Sequence, residues 1–176
     1  MAPAPPRFAF WDVGKFRGRI GGEEEPAMSA SGLDVFDKTL QTTNIWLDEI
    51  MEDLATDRQT AWHVLGAVMR TLRDRLPPGL SAHLSAELPL LVRGAYFEQW
   101  RPGHEALKMR SLAEFLERVS DGLANTKPVG SLDATHAVFS VLERHLDHGQ
   151  AEKVRLALPE EIRVHWPDGE AAQKPM

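Results

Sequence analysis

From Leu33 onward the apolar residues recur at helical spacing. Phe36, Leu40, Leu47, Ile50, Met51 and Leu54 fall mostly three, four or seven positions apart, which gathers them on one face of a helix. Thr56 and Gln59 stand at the spacing of a capping box, and the helix after them carries Trp62, Leu65, Val68, Met69, Leu72 and Leu76 as its stripe. Leu76-Pro77-Pro78-Gly79 ends that helix, because proline lacks an amide donor and glycine relaxes the turn. A short third helix is predicted over 80–88, and Pro89 opens a fourth, in whose first turn its missing N–H costs nothing. The fourth carries Leu91, Val92, Ala95 and Tyr96 and ends near Trp100-Arg101-Pro102-Gly103. After an irregular stretch to about Met109, Ser111 and Glu114 repeat the capping-box spacing ahead of Phe115, Leu116, Val119 and Leu123. The segment 125–131, rich in turn formers, breaks this fifth helix. A sixth is predicted over 133–146 with Asp133 as N-cap and Ala137, Val138, Val141 and Leu142 apolar. A seventh spans 149–157, and a short eighth starts at Pro159 with Glu160 and Glu161 placed to complement the helix dipole. No segment alternates with a period of two over the length of a strand, so the predicted class is all-α.

The pattern repeats. Leu88-Pro89 recurs as Leu158-Pro159, and the same offset of 70 pairs Ala67 with Ala137, Val68 with Val138, Leu72 with Leu142, Leu76 with Leu146, Gly79 with Gly149 and Arg93 with Arg163. At an offset of 69 the preceding helices match as well, Trp46 over Phe115, Leu47 over Leu116, Ile50 over Val119 and Leu54 over Leu123. One unit is therefore long helix, long helix, short helix, short helix, with repeat one over 33–100 and repeat two over 110–166. Because the matched positions are almost all apolar or turn-making, the repeat describes a buried stripe and its punctuation, whereas a duplicated active site would match in polar residues. Two such units can bury against each other a stripe that neither buries alone. A single compact bundle over 31–166 follows.

Four stretches carry a resemblance to a known family: VFDKTLQTTNIWLDEIMEDL, AVMRTLRDRLP, AELPLLVRGAYFEQWRP and AEFLERV. Together they resemble the bacterial family known as domain of unknown function 2267, over about residues 34–166. The resemblance implies an all-helical bundle in a bacterial, cytosolic protein, and it brings no activity. Members of that family usually have glycine before the tryptophan of the WRP motif, where this chain has Gln99.

Composition narrows the choices. Hydrophobic residues make up 43% of the 176 and charged residues 26%, which is an ordinary globular balance, so the bulk of the chain is expected to fold. The net charge of -6 disfavours a broad nucleic-acid surface. With no cysteine, disulfide and zinc-thiolate chemistry are excluded from the chain itself. No apolar run has the length of a membrane span, and Asp12, Lys15, Arg17 and Arg19 interrupt the start, so no signal peptide is read and the expected location is the cytoplasm. Residues 1–30, rich in Pro and Gly and without periodicity, are expected to be a disordered leader, and 167–176 a flexible tail. Met28 stands close before the first helix as an alternative start.

The chemistry is sparse. No Glu-x-x-His occurs; His145 and His148 are separated by a predicted turn, Asp133 explains itself as a cap beside His136, and His63 and His83 stand singly, so no metal or other cofactor is expected. Neither a nucleophile elbow nor a phosphate-binding glycine loop is present. Glu49, Glu52 and Asp53 are expected on a solvated helix face. The polar exceptions within the repeat are Arg93 and Arg163, which either grip an anion or tie helix ends together. The richest local cluster is the run 96–102, where Tyr96, Trp100 and Arg101 form either a binding lip or a plug at the bundle end. The candidate binding residues are thus Arg93, Tyr96, Trp100, Arg101 and Arg163, with no catalytic residue assigned. The reading leans away from an enzyme, toward a scaffold or interaction module with an unidentified protein partner or a second copy of itself. Its rival is a small-ligand or enzymatic site between the repeats, built on Arg93, Arg163, Tyr96 and His63.

Overall fold

A computed structural model describes residues 32–101 and 106–169, and within them eight helices and no strand. The helices are α1 (Asp34–Leu54), α2 (Arg58–Arg75), α3 (Pro78–Glu87), α4 (Leu90–Phe97), α5 (Leu112–Gly122), α6 (Ser131–His145), α7 (His148–Ala157) and α8 (Glu160–Arg163). No helix among the described residues is long and apolar enough to cross a membrane. The expected leader, and the tail beyond residue 169, lie outside the described residues.

The helix starts obey capping chemistry, with three differences from the sequence reading. α2 is capped by Asp57, whose carboxylate accepts from the Thr60 amide at 2.8 Å, in place of the Thr56–Gln59 box. A carboxylate is the stronger acceptor for an orphan amide, and the Lys127 ammonium also bonds it. Pro89 and Pro159 occupy the N-caps of α4 and α8 and not their first turns. α6 begins two residues early, with Gly130 at the cap and Asp133 in the first turn. Ser111 does cap α5, accepting from the Glu114 amide at 3.2 Å.

The two halves interlock crosswise: α1 packs on α6, α5 packs on α2, α2 meets α6, and α3 meets α7. Each long helix thus turns its stripe toward the other half. Val68 and Leu72 of α2, with Val138 and Leu142 of α6, are completely buried. Burying one such side chain contributes about 1.5–3 kcal/mol, so the shared stripe is the main cohesive element. α5 approaches α2 so closely that a methyl group on Gly122 would lie 2.9 Å from the Ala67 Cβ.

Ion pairs follow the same crossed pattern with exchanged signs. Between α1 and α6, the Arg144 Nη2 lies 2.7 Å from Glu49 Oε2. Between α5 and α2, the repeat-equivalent positions are Arg118 and Asp74, 3.5 Å apart. Pairing either half with a copy of itself would oppose Glu49 to Asp74, or Arg118 to Arg144, so the exchange favours closure of one half on the other. Glu49 is therefore half-buried at an interface and not on a solvated face as its sequence context suggests. A second difference lies at the start of α1, where Phe36 and Leu40 continue the core-facing stripe but are exposed.

Candidate functional site

Arg93 and Arg163 occupy equivalent places and make equivalent bonds. Arg93 Nη2 donates to the Leu88 carbonyl at 3.1 Å and the Ala86 carbonyl at 3.0 Å; Arg163 Nη2 donates to the Leu158 carbonyl at 3.1 Å. Leu88 and Leu158 are the C-caps of α3 and α7, where helix-end carbonyls lack intrahelical partners. Both guanidinium groups are thus engaged with the main chain.

Tyr96 is completely buried. Its hydroxyl and the Ser81 Oγ are 2.7 Å apart, and burial pushes the phenol pKa up to about 12, against the opposing pull of that hydrogen bond. The Tyr96 carbonyl accepts from Arg73 Nη1 at 2.6 Å, and the same nitrogen reaches the Glu98 carbonyl at 2.9 Å. Arg73 is itself buried, with its Nε bonded to Asp74 Oδ1 at 2.8 Å. One fork therefore pins the end of α4 and the turn after it, and Arg70 adds a bond from its Nη1 to Glu98 Oε2 at 3.1 Å. In that turn Gln99 is left-handed, with φ +57°, a conformation that burdens any side chain.

This scaffold carries an aromatic series outward. Phe97 meets Tyr96 edge-on with centroids 5.0 Å apart, and Trp100 meets Phe97 at 5.2 Å. Trp100 is 37% exposed and walls a cleft of about 180 Å³. Leu76, Pro78 and Leu107 supply its other apolar walls, and Arg101 and Arg118 line it as well. Asp74, its one acid among the described residues, is already held by Arg73 and Arg118. Arg101 makes no ion pair with any described residue. The far wall is fixed to α2, since the Leu107 amide donates to the Asp74 carbonyl at 2.7 Å and Arg75 Nε to the Met109 carbonyl at 2.9 Å. Of the five sequence candidates, the structure brings Trp100 and Arg101 together at this cleft, buries Tyr96 beneath it, and leaves Arg93 and Arg163 outside its lining.

Arg73, Asp74, Leu107 and Arg118 were not singled out by sequence. A signal existed in the repeat: Arg73 is equivalent to Glu143 and Tyr96 to Trp166, and in the second half the tie is inverted, with Trp166 Nε1 donating to Glu143 Oε2 at 2.6 Å. A charged pair of opposite sign at matched positions, in an otherwise apolar correspondence, marks two different ways of pinning the same aromatic.

The histidines are paired differently from any sequence spacing. His136 Nε2 lies 2.8 Å from His165 Nδ1, and burial, followed by the neighbouring imidazole, lowers the His136 pKa against the pull of Asp133. His145 Nε2 bonds Glu49 Oε1 at 2.7 Å and its ring stacks on Trp46. Among the described residues no three His, Asp or Glu side chains are grouped as metal ligands.

Among curated proteins none matches the sequence. A family model described as uncharacterized conserved protein (DUF2267) matches residues 43–164, which takes in all of α2 to α8 and the part of α1 that enters the bundle. With both interlocked halves inside the matched region, the chain belongs to the DUF2267 family.

Proposed function

We propose that this chain is a non-enzymatic protein-interaction module of the bacterial cytoplasm, which takes an acidic, partly apolar segment of a partner protein in the cleft beside Trp100. The observation that carries this reading is an exposed indole braced through Phe97 and Tyr96 to the core, in a cleft shared with Arg101 and Arg118, on a chain of net charge -6. A pre-positioned tryptophan loses little freedom on binding, and Trp and Arg are the residue types that most often dominate binding energy. Cations concentrated against the overall sign of the protein select carboxylates and repel basic segments. A cleft of about 180 Å³ suits one aromatic or branched side chain, flanked by the acids that meet the arginines. The rival site between the repeats gains no support, because Tyr96 is sealed and both Arg93 and Arg163 bind carbonyls.

Fluorescence anisotropy with a labelled acidic peptide carrying one central phenylalanine tests the reading. Wild-type protein binds it saturably, and the same peptide with lysine in place of each acid does not bind. Equal binding by Trp100→Ala, or a preference for the lysine peptide, refutes it.

A further inference from the structure

α1 is longer than its repeat equivalent, and the excess carries exposed apolar side chains among its polar ones. At the offset of 69, α5 begins at Leu112 over Thr43, so residues 34–42 have no counterpart in the second half. Within them Val35, Phe36 and Leu40 are 60%, 46% and 47% exposed. Phe36 and Leu40 stand at helical spacing ahead of Thr43, Leu47 and Ile50, which are all buried, so the core-facing stripe runs on past the bundle. The family match also begins at residue 43, which sets this overhang apart from the shared fold. Large apolar side chains left exposed together at one end of a helix mark a contact site.

We infer that the segment 7–20 of the same chain covers this overhang. Its apolar residues Phe8, Phe10, Trp11, Phe16 and Ile20 share the segment with Arg7, Lys15, Arg17 and Arg19 against the one acid Asp12, and the first turn of α1 is acidic through Asp34 and Asp37. The charges are complementary, and the aromatic rings match the exposed stripe. Reach is ample: the eleven residues 21–31 span up to roughly 36 Å when extended, whereas the nine-residue excess of α1 is about 14 Å long. Gly32, with φ +72°, gives the chain a left-handed turn at the foot of the helix, which lets the preceding segment double back. Tethering also decides between occupants. A same-chain segment acts at an effective concentration of order millimolar, which outcompetes a second copy present at micromolar concentration. A segment without helical periodicity of its own gains order by docking on a preformed helix.

Amide hydrogen exchange and sedimentation velocity test this on the full chain, on the chain lacking residues 1–27, and on the full-length double variant Phe36→Glu/Leu40→Glu. The altered side chains lie outside the core, and far-UV circular dichroism checks that the bundle is intact. The full chain is expected to be monomeric, with exchange over residues 34–42 about tenfold slower than in the shortened chain, and with the same loss of protection in the double variant. Equal protection over residues 34–42 with and without the leader overturns the inference. So does a concentration-dependent dimer of the full chain that the double variant abolishes, because a second copy would then be the occupant. Neither readout involves Trp100, so the result stands apart from the cleft proposed above.

Discussion

The buried guanidinium of Arg73 donates to the main-chain carbonyl of Tyr96 at 2.6 Å, and through this bond the α2 helix holds both the end of α4 and the turn that presents Trp100. Arg73→Met leaves two carbonyls and one oxygen of Asp74 without their donor in a largely dry site. A loss of about 3 kcal/mol in urea unfolding is expected. Arg73→Lys recovers part of it, since an ammonium cannot serve Nε-side and Nη-side acceptors in one plane. An unchanged midpoint for Arg73→Met would show that the fork is not holding the turn.

Tyr96 is the chain's one tyrosine, so its ionisation is read without interference. Burial raises its pKa from 10.0 to about 12. A phenol held neutral in the fold contributes stability that is complete below the ordinary value and is lost as pH rises through the window from 10.0 to about 12. Tyrosinate absorbance is therefore expected only near the upper end of that window, together with loss of near-UV circular dichroism. A midpoint at the ordinary phenol value in folded protein would contradict the burial.

The exchanged ion pairs predict a rescue. Glu49→Lys places a cation beside Arg144 and His145 and is expected to cost about 1–2 kcal/mol, tempered by partial exposure. Glu49→Lys combined with Arg144→Glu restores most of it, which a double-mutant cycle reads directly. Strict additivity of the two changes would show that this pair plays no part in matching the halves.

Gln99 stands left-handed where a side chain is unfavourable. Gln99→Gly is expected to stabilise the fold by about 0.5–1 kcal/mol in thermal or urea denaturation, the relief of left-handed strain exceeding the added freedom of the unfolded chain. It is also expected to weaken peptide binding at the cleft by loosening the turn that presents Trp100. Destabilisation by glycine would mean that the Gln99 side chain itself holds the turn.

Much of the fold was legible because burial here is periodic. The stripes of α2 and α6, the proline stops and the offset of 70 all follow from residue type and spacing, and the structure buries Val68, Leu72, Val138 and Leu142 as that reading requires. The site was legible only in part. Trp100 and Arg101 stood out by type, but Arg118 and Leu107 reach the cleft through the packing of α5 on α2 and a main-chain bond to Asp74, which no spacing encodes. Arg73 was hidden because a buried arginine looks in sequence like any solvated one, and only its carbonyl partners reveal it. Phe36 and Leu40 continue the stripe in sequence without continuing it in the core, since periodicity places a residue on a face and cannot say where the covering helix ends.

The most direct test of the proposed function is nuclear magnetic resonance titration of the full chain with the acidic phenylalanine peptide. The indole N–H of Trp100 and the amides of Arg101, Leu107 and Arg118 are expected to shift together and saturate, with affinity about tenfold weaker in both Trp100→Ala and Arg118→Glu. Shifts confined to other surfaces, or wild-type affinity in both variants, would contradict a docking cleft at this turn.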